Sequence, residues 1–216
     1  MAPTSKRGGS SVTAVDPQLR HPGAVLGPRG SRTIDTILDA ARHMFLVKGY
    51  SGTTIDEIAR SAGVSRGSFY TYFPSKRDVL LALGANSLQA SMDLLAQLRD
   101  LGPDCTVADL DDWVACYFQM LDDHGSFAFA WTQAAHEDAE IRGAGMKSHL
   151  ALSRRMGVAL AALGGHDERA PTELGLLAYS MLERGWSYTQ LYEGNVDREQ
   201  LQKTTARMLA AVARSA

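Results

Sequence analysis

Apolar residues recur at helical spacing along most of the chain. From residue 31 onward, Ile34, Ile37, Leu38, Ala41 and Phe45 fall at i, i+3, i+4, i+7 and i+11, which predicts one buried face of an amphipathic helix. Comparable stretches follow, each bounded by capping residues, glycine or proline, and none alternates as a strand does. The predicted helices cover about residues 31–49, 54–63, 66–73, 75–102, 106–125, 127–135, 137–163, 172–193 and 197–214. The pattern predicts an all-α protein of about nine helices.

Residues 1–30 lack this periodicity. They contain four prolines and five glycines, a composition typical of a disordered segment. Their basic side chains, continued by Arg32, are able to lie along DNA phosphates or in a minor groove, and a solubilising tail is the alternative. The basic residues in question are Lys6, Arg7, Arg20 and Arg29. We therefore expect a disordered basic arm over residues 1–30.

Charge is distributed unevenly, although the formal net charge is only −2. Residues 1–77 carry 11 Lys and Arg against 5 Asp and Glu, whereas residues 78–216 carry 11 against 19. Such asymmetry favours a polyanionic partner for the first part of the chain. The two cysteines have neither zinc-ligand nor disulfide-scaffold spacing. Since no apolar run has the length of a membrane span and residues 1–20 lack a secretory apolar core, we expect a cytoplasmic protein without a membrane partner.

The second and third predicted helices flank a tight turn at Gly63, as in a helix-turn-helix, whose second helix enters the major groove with its N-terminus first. That helix begins with Ser65 as its cap. Arg66 is able to donate two hydrogen bonds to a guanine edge, and Gly67 lets the backbone approach DNA closely. Ser68 is short enough to reach a phosphate. Further donors follow at Tyr70, Thr71, Tyr72 and Lys76.

The run TTIDEIA at residues 53–59, followed by AGVSRGSFYTYFPSK at residues 62–76, resembles the DNA-binding signature of the TetR family of transcriptional repressors. The resemblance extends over about residues 33–83. It implies base reading by Arg66, Gly67 and Tyr70, with Ser65 as the cap and a further contact. Phe69 departs mildly from the pattern, where Leu or Ile is frequent. By the same resemblance, the phosphate backbone is held by Thr54, Ser68, Thr71, Tyr72 and Lys76.

The resemblance also implies an organisation for the rest of the chain. Residues 31–77 become the helix-turn-helix DNA-binding domain, and residues 78–216 a helical ligand-binding and dimerisation domain. Family members are homodimers that pair through their last two helices, and apolar stripes in both helices of this chain permit such pairing, with intrachain core as the alternative. Two recognition helices about 34–36 Å apart would read a near-palindromic operator in double-stranded DNA.

The acidic second part has the composition of a small-molecule pocket, because it contains all three tryptophans and many other large apolar side chains. Packing in a core is the alternative for each of them. The stretch MLER at residues 181–184 is similar to one in family members with long hydrophobic tunnels, which implies an acyl or other lipophilic effector. Glu183 and Arg184 interrupt the apolar stretch of the eighth helix, and they could be a dimer-interface ion pair, a polar anchor for ligand or a solvated pair. Of these, a structural role is favoured. The candidate ligand-binding residues are Trp113, Tyr117, Phe118, Met120, Phe129, Trp131, Met181 and Trp186.

An enzymatic function lacks a supporting constellation in the sequence. There is no phosphate-binding glycine loop and no nucleophile elbow, and His136 and Glu137 lack the second histidine of a zinc helix. We therefore expect no catalytic site, no metal and no cofactor. The function that fits best is a repressor released from its operator by a small lipophilic effector, and the alternative is an orphan or architectural DNA-binding protein without a ligand response.

Overall fold

A computed structural model describes residues 28–165, 172–192 and 194–215. These residues form helices and connecting turns, with no strand among them, so the predicted all-α class and the count of nine helices are confirmed for this part of the chain. The helices are α1 (Pro28–Lys48), α2 (Ile55–Ser61), α3 (Arg66–Tyr72), α4 (Lys76–Asp100), α5 (Val107–His124), α6 (Ser126–Glu137), α7 (Ala139–Leu163), α8 (Thr172–Leu191) and α9 (Arg198–Ser215).

The first helix begins earlier than the sequence pattern predicts. It starts at Pro28, where proline is tolerated because the first turn needs no backbone N–H, so the end of the predicted arm at residue 30 is wrong. Thr33 lies inside the helix and donates its hydroxyl proton to the Arg29 carbonyl at 3.0 Å. The other residues of the predicted arm, 1–27, lie outside the described part.

Helix ends in the N-terminal part follow the local signals closely. Thr54 caps α2 in a capping box with Glu57, and Ser65 caps α3 by accepting a hydrogen bond from the Ser68 N–H at 3.0 Å. Because these caps satisfy backbone groups that the helix leaves unpaired, they fix where each short helix starts. Gly63 ends the turn between the two helices with φ of +66°, a conformation that side chains with a Cβ rarely adopt.

Two apolar cores hold the molecule together. The first packs α1, α2, α3 and the start of α4 around Phe45, Ile58 and Phe69, each at most 1% exposed, and it includes Ala134 of α6 and Ile141 of α7. The second fills the bundle of α4, α5, α7, α8 and α9. Since α4 contributes to both cores, it connects the helix-turn-helix to the bundle.

Polar contacts fasten the helix-turn-helix unit to α6 and α7. The Tyr50 backbone N–H donates to the Gln133 side-chain oxygen at 2.7 Å. Arg77, at the start of α4, forms ion pairs with Asp138 and Glu140 at the start of α7. The unit is thus joined to the bundle at two separate points.

Helix α4 is long and apolar enough, by length and composition, to cross a membrane. Its apolar residues are divided between the two cores, and the buried core helix of a globular protein satisfies the same criterion. The helix therefore provides only weak evidence for a membrane span.

Candidate nucleic-acid interface

Helix α3 is anchored by one face and presents the other to solvent. Phe69 is fully buried in the first core, and its ring packs at a tilt against that of Phe73, with ring centres 6.0 Å apart. This anchoring leaves the opposite face of the helix exposed, with a cluster of polar and aromatic side chains on it. Its exposed members are Ser65, Arg66, Gly67, Tyr70 and Thr71. The geometry is that of a helix held from behind so that its outer face is able to meet a groove.

Arg66 is tethered, rather than free, in the unbound chain. Its Nη1 lies 2.8 Å from both carboxylate oxygens of Asp56 on α2, and its guanidinium carbon lies 5.6 Å from the centre of the Tyr70 ring. The Tyr70 hydroxyl and the Asp56 carboxylate together raise the pKa of Arg66. Both charged side chains remain largely exposed, so the pair adds little to stability and is able to open when the guanidinium meets a guanine edge.

Among the described residues, none lies close enough to Gly67 to require a glycine there. A Cβ built at this position would meet only the Ser65 hydroxyl, at 3.9 Å, and the residue lies in α3 without positive φ. Glycine inside a helix costs about 1 kcal/mol relative to alanine. The fold offers no compensation for this cost, whereas the close approach of a partner to the backbone would explain it.

The remaining predicted phosphate contacts of α2 and α3 differ in accessibility. Thr54 is exposed, but its hydroxyl is engaged with Glu57 at 2.9 Å. Thr71 is exposed and donates to the Gly67 carbonyl at 3.1 Å, while Ser68 and Tyr72 are half-buried. The structure thus brings these residues together on α2 and α3 and leaves their contacts with DNA as a prediction.

The side chain of Lys76 points into the protein and not toward the exposed face of α3. Its ammonium group donates to the backbone carbonyls of Tyr50 at 2.6 Å and Thr53 at 2.8 Å, and it lies 4.3 Å from the centre of the Tyr50 ring. Burial lowers the pKa of Lys76. These contacts brace the turn between α1 and α2, and the phosphate contact that the resemblance implies stays a prediction.

Asp56 is a residue that sequence reasoning missed. It lies ten positions before its partner Arg66 and on a different helix. Helical periodicity relates positions three and four apart, so it provides no signal for this pair. Only the angle between α2 and α3 brings the carboxylate to the guanidinium.

The predicted ligand-binding residues do not all come together. Five are buried in the bundle core, and Met181 packs half-buried against it. Trp131 belongs instead to the first core, where it packs on Phe127 with ring centres 5.0 Å apart. The side chain of Phe129 lies outside the described residues. The five in the bundle core are Trp113, Tyr117, Phe118, Met120 and Trp186.

Several polar side chains lie close together inside this apolar bundle, and most of them were not predicted from the sequence to lie in one site. We define the buried polar cluster as Ser91 of α4, Tyr117 of α5, His149 of α7, and Tyr179 and Glu183 of α8. The rings of Tyr117 and Tyr179 meet edge-to-face at 6.3 Å, and those of His149 and Tyr179 at 5.1 Å. The Tyr117 hydroxyl is fully buried and makes no hydrogen bond of acceptable geometry. Burial raises the pKa of Glu183 to about 7.

Two solvent-open hollows occur elsewhere. One, of about 340 Å³, lies at the turn between α8 and α9, and the other, of about 380 Å³, lies where the first turn meets α6. Neither is lined by any of the seven predicted ligand-binding residues whose side chains the structure describes. Within the described residues, no group of three or more His, Cys, Asp or Glu side chains is placed to hold a metal ion.

An apolar stripe on the outside of α8 and α9 is exposed to solvent in the described part of the chain. Leu177 is 70% exposed, and Tyr188 and Leu191 continue the same face of α8 at spacings of eleven and three residues. On α9, Met208 is 50% exposed. Large apolar side chains at helical spacing on adjacent helices are typical of a surface that is covered in an assembly.

Comparison with known proteins places the helix-turn-helix in a family. Residues 37–83 match the family model described as bacterial regulatory proteins, tetR family. Over 90 residues the chain is 40% identical to the HTH-type transcriptional regulator SrpR of Pseudomonas putida. These matched residues make up 42% of this chain and 38% of that relative. The chain therefore spans well under half the length of that curated relative.

Solved structures resemble almost the whole fold at low sequence identity. The regulator FadR of Bacillus subtilis, in complex with stearoyl-CoA, covers 82% of this chain and 97% of its own, with a TM-score of 0.60 and 17% identity. A proposed transcriptional regulator from Saccharomonospora viridis, in complex with choline, covers 83% and 96%, with a TM-score of 0.63 and 16% identity. The signature in α2 and α3 and the family match place the helix-turn-helix unit, residues 37–83, in the TetR family of bacterial regulatory proteins, and the solved structures show that the described chain shares their fold.

Proposed function

We propose that this protein is a cytoplasmic, sequence-specific regulator of transcription that binds operator DNA through α3 and acts as a repressor. The observation that carries the proposal is the outer face of α3. This face carries an exposed arginine, an exposed tyrosine and a glycine that no described neighbour requires, and the helix is anchored on its other face by Phe69. Repression, rather than activation, rests on the family resemblance.

The active form is a homodimer. The exposed stripe that contains Leu177 and Leu191 on α8 and Met208 on α9 gives a second copy of this chain an apolar face to cover. Two-fold pairing would use the same patch on both subunits. It would also present two α3 helices to successive major grooves.

The repressor is released by a small lipophilic effector bound within the bundle. Any shift in the bundle has a route to the DNA-binding unit through the contacts of Gln133 with Tyr50 and of Arg77 with Asp138. The two structural neighbours hold ligands of different charge, an acyl-CoA and a quaternary ammonium. The shared fold therefore does not select the effector class.

Selection from a library of random duplexes tests the DNA-binding proposal. We expect enrichment of a near-palindromic sequence whose half-site centres are about 34–36 Å apart, which is one turn of DNA or slightly more. We also expect the protein to sediment as a dimer at micromolar concentration. Arg66→Ala is the matched variant and should select the site poorly. Failure of the wild-type protein to enrich any sequence would contradict the proposal.

An orphan DNA-binding role without a ligand response is the second candidate. The observation that favours it is tight packing in the bundle: a Cβ at Gly175 on α8 would lie 1.7 Å from the Ser153 carbonyl oxygen on α7. Adding lipophilic compounds to the protein–operator complex separates the two functions. Release of DNA by a compound that also raises the melting temperature of the free protein supports the inducible repressor.

A further inference from the structure

The buried polar cluster has a hydrogen-bonding capacity that the chain itself does not fill. Ser91, Tyr117 and Tyr179 are each at most 5% exposed. The Tyr179 hydroxyl lies within hydrogen-bonding reach of Ser91, Tyr117 and Glu183, yet the Tyr117 hydroxyl makes no hydrogen bond of acceptable geometry. Leaving a buried hydroxyl unpaired is unfavourable, because the group has lost its hydrogen bonds to water. A bound group that accepted or donated hydrogen bonds here would recover that cost.

Glu183 is the acidic group of this cluster, and among the described residues no buried cationic side chain lies beside it. The carboxyl is largely buried, and the cationic side chain that acts on it is Arg184. Arg184 is exposed and lies over the Tyr188 ring at 5.9 Å, on the outside of α8. From α7 the cluster meets His149, whose pKa is lowered by burial so that the ring is neutral at physiological pH. The cluster is therefore an acid surrounded by aromatic rings and hydroxyls.

Aromatic faces around a carboxylate are the features that recognise an organic cation. Rings of Trp113 and Tyr117 pack with centres 5.2 Å apart, and Tyr179 closes the group edge-on. A positively charged head is attracted to such faces and would pair with Glu183. A fatty-acid carboxylate would instead meet a like charge in a site of low dielectric constant, where repulsion is strong.

The cluster is continuous from the surface of the bundle to its centre. Glu183 and His149 keep partial solvent exposure, whereas Tyr117 is completely buried. A ligand head entering beside Glu183 would therefore draw its apolar tail toward the packed rings of α5. Because the core is closed in the described structure, entry requires the helices to move apart, and such a movement is one that the bundle is able to transmit to α4.

We propose that the effector is a lipophilic cation whose positively charged head binds Glu183 and the tyrosine hydroxyls of α5 and α8, with its tail in the bundle core. This inference rests on the proposed ligand response and replaces the acyl effector that the sequence resemblance favours. Glu183 then acts as a ligand-binding residue rather than the structural residue that the sequence predicts.

Three single-chain amphiphiles of equal tail length test the charge preference: decyltrimethylammonium, decanoate and 1-decanol, each below its micelle-forming or solubility limit. Calorimetric titration of the full chain should give the tightest binding with decyltrimethylammonium. Glu183→Gln should weaken that binding by about tenfold or more, and Tyr117→Phe by a smaller factor. Glu173→Gln, at an exposed position in the first turn of α8, removes the same charge and should leave binding unchanged.

Decanoate binding as tightly as decyltrimethylammonium, or equal binding by wild type and Glu183→Gln, would overturn the proposal. The variant should also remain a dimer in sedimentation. Loss of the dimer in Glu183→Gln would assign the carboxylate to the subunit interface instead and would likewise overturn it.

Operator binding is measured in the same samples, so that failure of this inference is distinguishable from failure of the proposed function. A protein that binds operator DNA but not the cation contradicts only the effector class. A protein that binds the cation through Glu183 but neither binds nor releases DNA would support the cation-binding site and would contradict the proposed repressor function.

Discussion

The helix-turn-helix unit and the bundle place their polar chemistry on opposite sides of their cores. In the unit, Arg66, Tyr70 and Thr71 lie outside a small apolar core and face solvent. In the bundle, Tyr117, Tyr179 and Glu183 lie inside, and the exposed faces of α8 and α9 carry apolar residues such as Leu177. The first arrangement suits a large, hydrated polyanion, and the second suits a small ligand within and a second subunit outside.

This difference determines which residues should be sensitive to mutation, and for which property. Outer-face residues of α3 should affect DNA binding with little effect on stability, because few intrachain contacts depend on them. Residues of the buried polar cluster should affect stability and its pH dependence, because their charges and hydroxyls are desolvated.

The largest expected effect is the pH dependence that Glu183 imposes on stability. Its pKa is about 7 in the folded chain against an ordinary value of 4.5, so the folded state binds more protons than the unfolded state between these values. Stability from this group is therefore lost as pH rises from about 4.5 to 7, by roughly 3 kcal/mol in all. Denaturant titration at several pH values should show that the unfolding free energy of the wild type falls relative to that of Glu183→Gln as the pH rises over this interval.

The exposed Glu173→Gln variant is the control for that measurement and should follow the wild type. Burial raises the pKa of Tyr117 and of Tyr179, so neither titrates in this interval, and His149 is common to all three proteins. Parallel stability curves for wild type and Glu183→Gln would show that the carboxyl is solvated, which would remove the contrast between the two regions.

A smaller effect is expected from Lys76, which lies at the border between the regions. Lys76→Met keeps the apolar stem and removes the ammonium group that holds the Tyr50 and Thr53 carbonyls. We expect roughly 2 kcal/mol lower unfolding free energy, from two lost charge-assisted hydrogen bonds. Lys147→Met, at an exposed position on α7, should have little effect.

Salt dependence of DNA binding separates this bracing role from a phosphate contact. A direct phosphate contact at Lys76 would lower the slope of log affinity against log salt concentration by about one when the charge is removed. The inward position of the ammonium predicts a smaller change in slope. A full unit of change without loss of stability would restore the phosphate contact implied by the resemblance.

The smallest effect on stability is expected at Gly67. Gly67→Ala should stabilise the fold by about 0.5–1 kcal/mol, because alanine favours the helix and the position is open, and it should weaken operator binding. Gly143→Ala on α7, where a Cβ likewise meets nothing within 4 Å, should stabilise the chain and leave operator binding unchanged. Unimpaired operator binding by Gly67→Ala would show that DNA does not approach this backbone closely.

What the sequence predicts well in this chain is local. The capping box of Thr54 with Glu57 and the turn at Gly63 depend on residues a few positions apart, so the helix-turn-helix is predictable almost to the residue. The Asp56–Arg66 pair and the inward ammonium of Lys76 depend instead on the packing of one helix against another. Periodicity and capping signals contain no information about such contacts.

The bundle was harder to predict for the same reason. Tyr117 was identified as a ligand-binding candidate, but its neighbours Ser91 and Tyr179 come from α4 and α8, distant in sequence, and become a cluster only when the helices pack. Trp131 has the same residue type as Trp113 but belongs to the other core. Residue type alone could not separate these two tryptophans.

The central claim is that the outer face of α3 reads DNA sequence. Its most direct test is the affinity of the Arg66→Ala variant for the selected operator and for a random duplex. The control variant is Arg60→Ala, at an exposed position at the end of α2. We predict that Arg66→Ala loses roughly 1–3 kcal/mol of discrimination at one base position, while Arg60→Ala keeps the discrimination of the wild type. Equal losses on the operator and the random duplex for Arg66→Ala would contradict the claim.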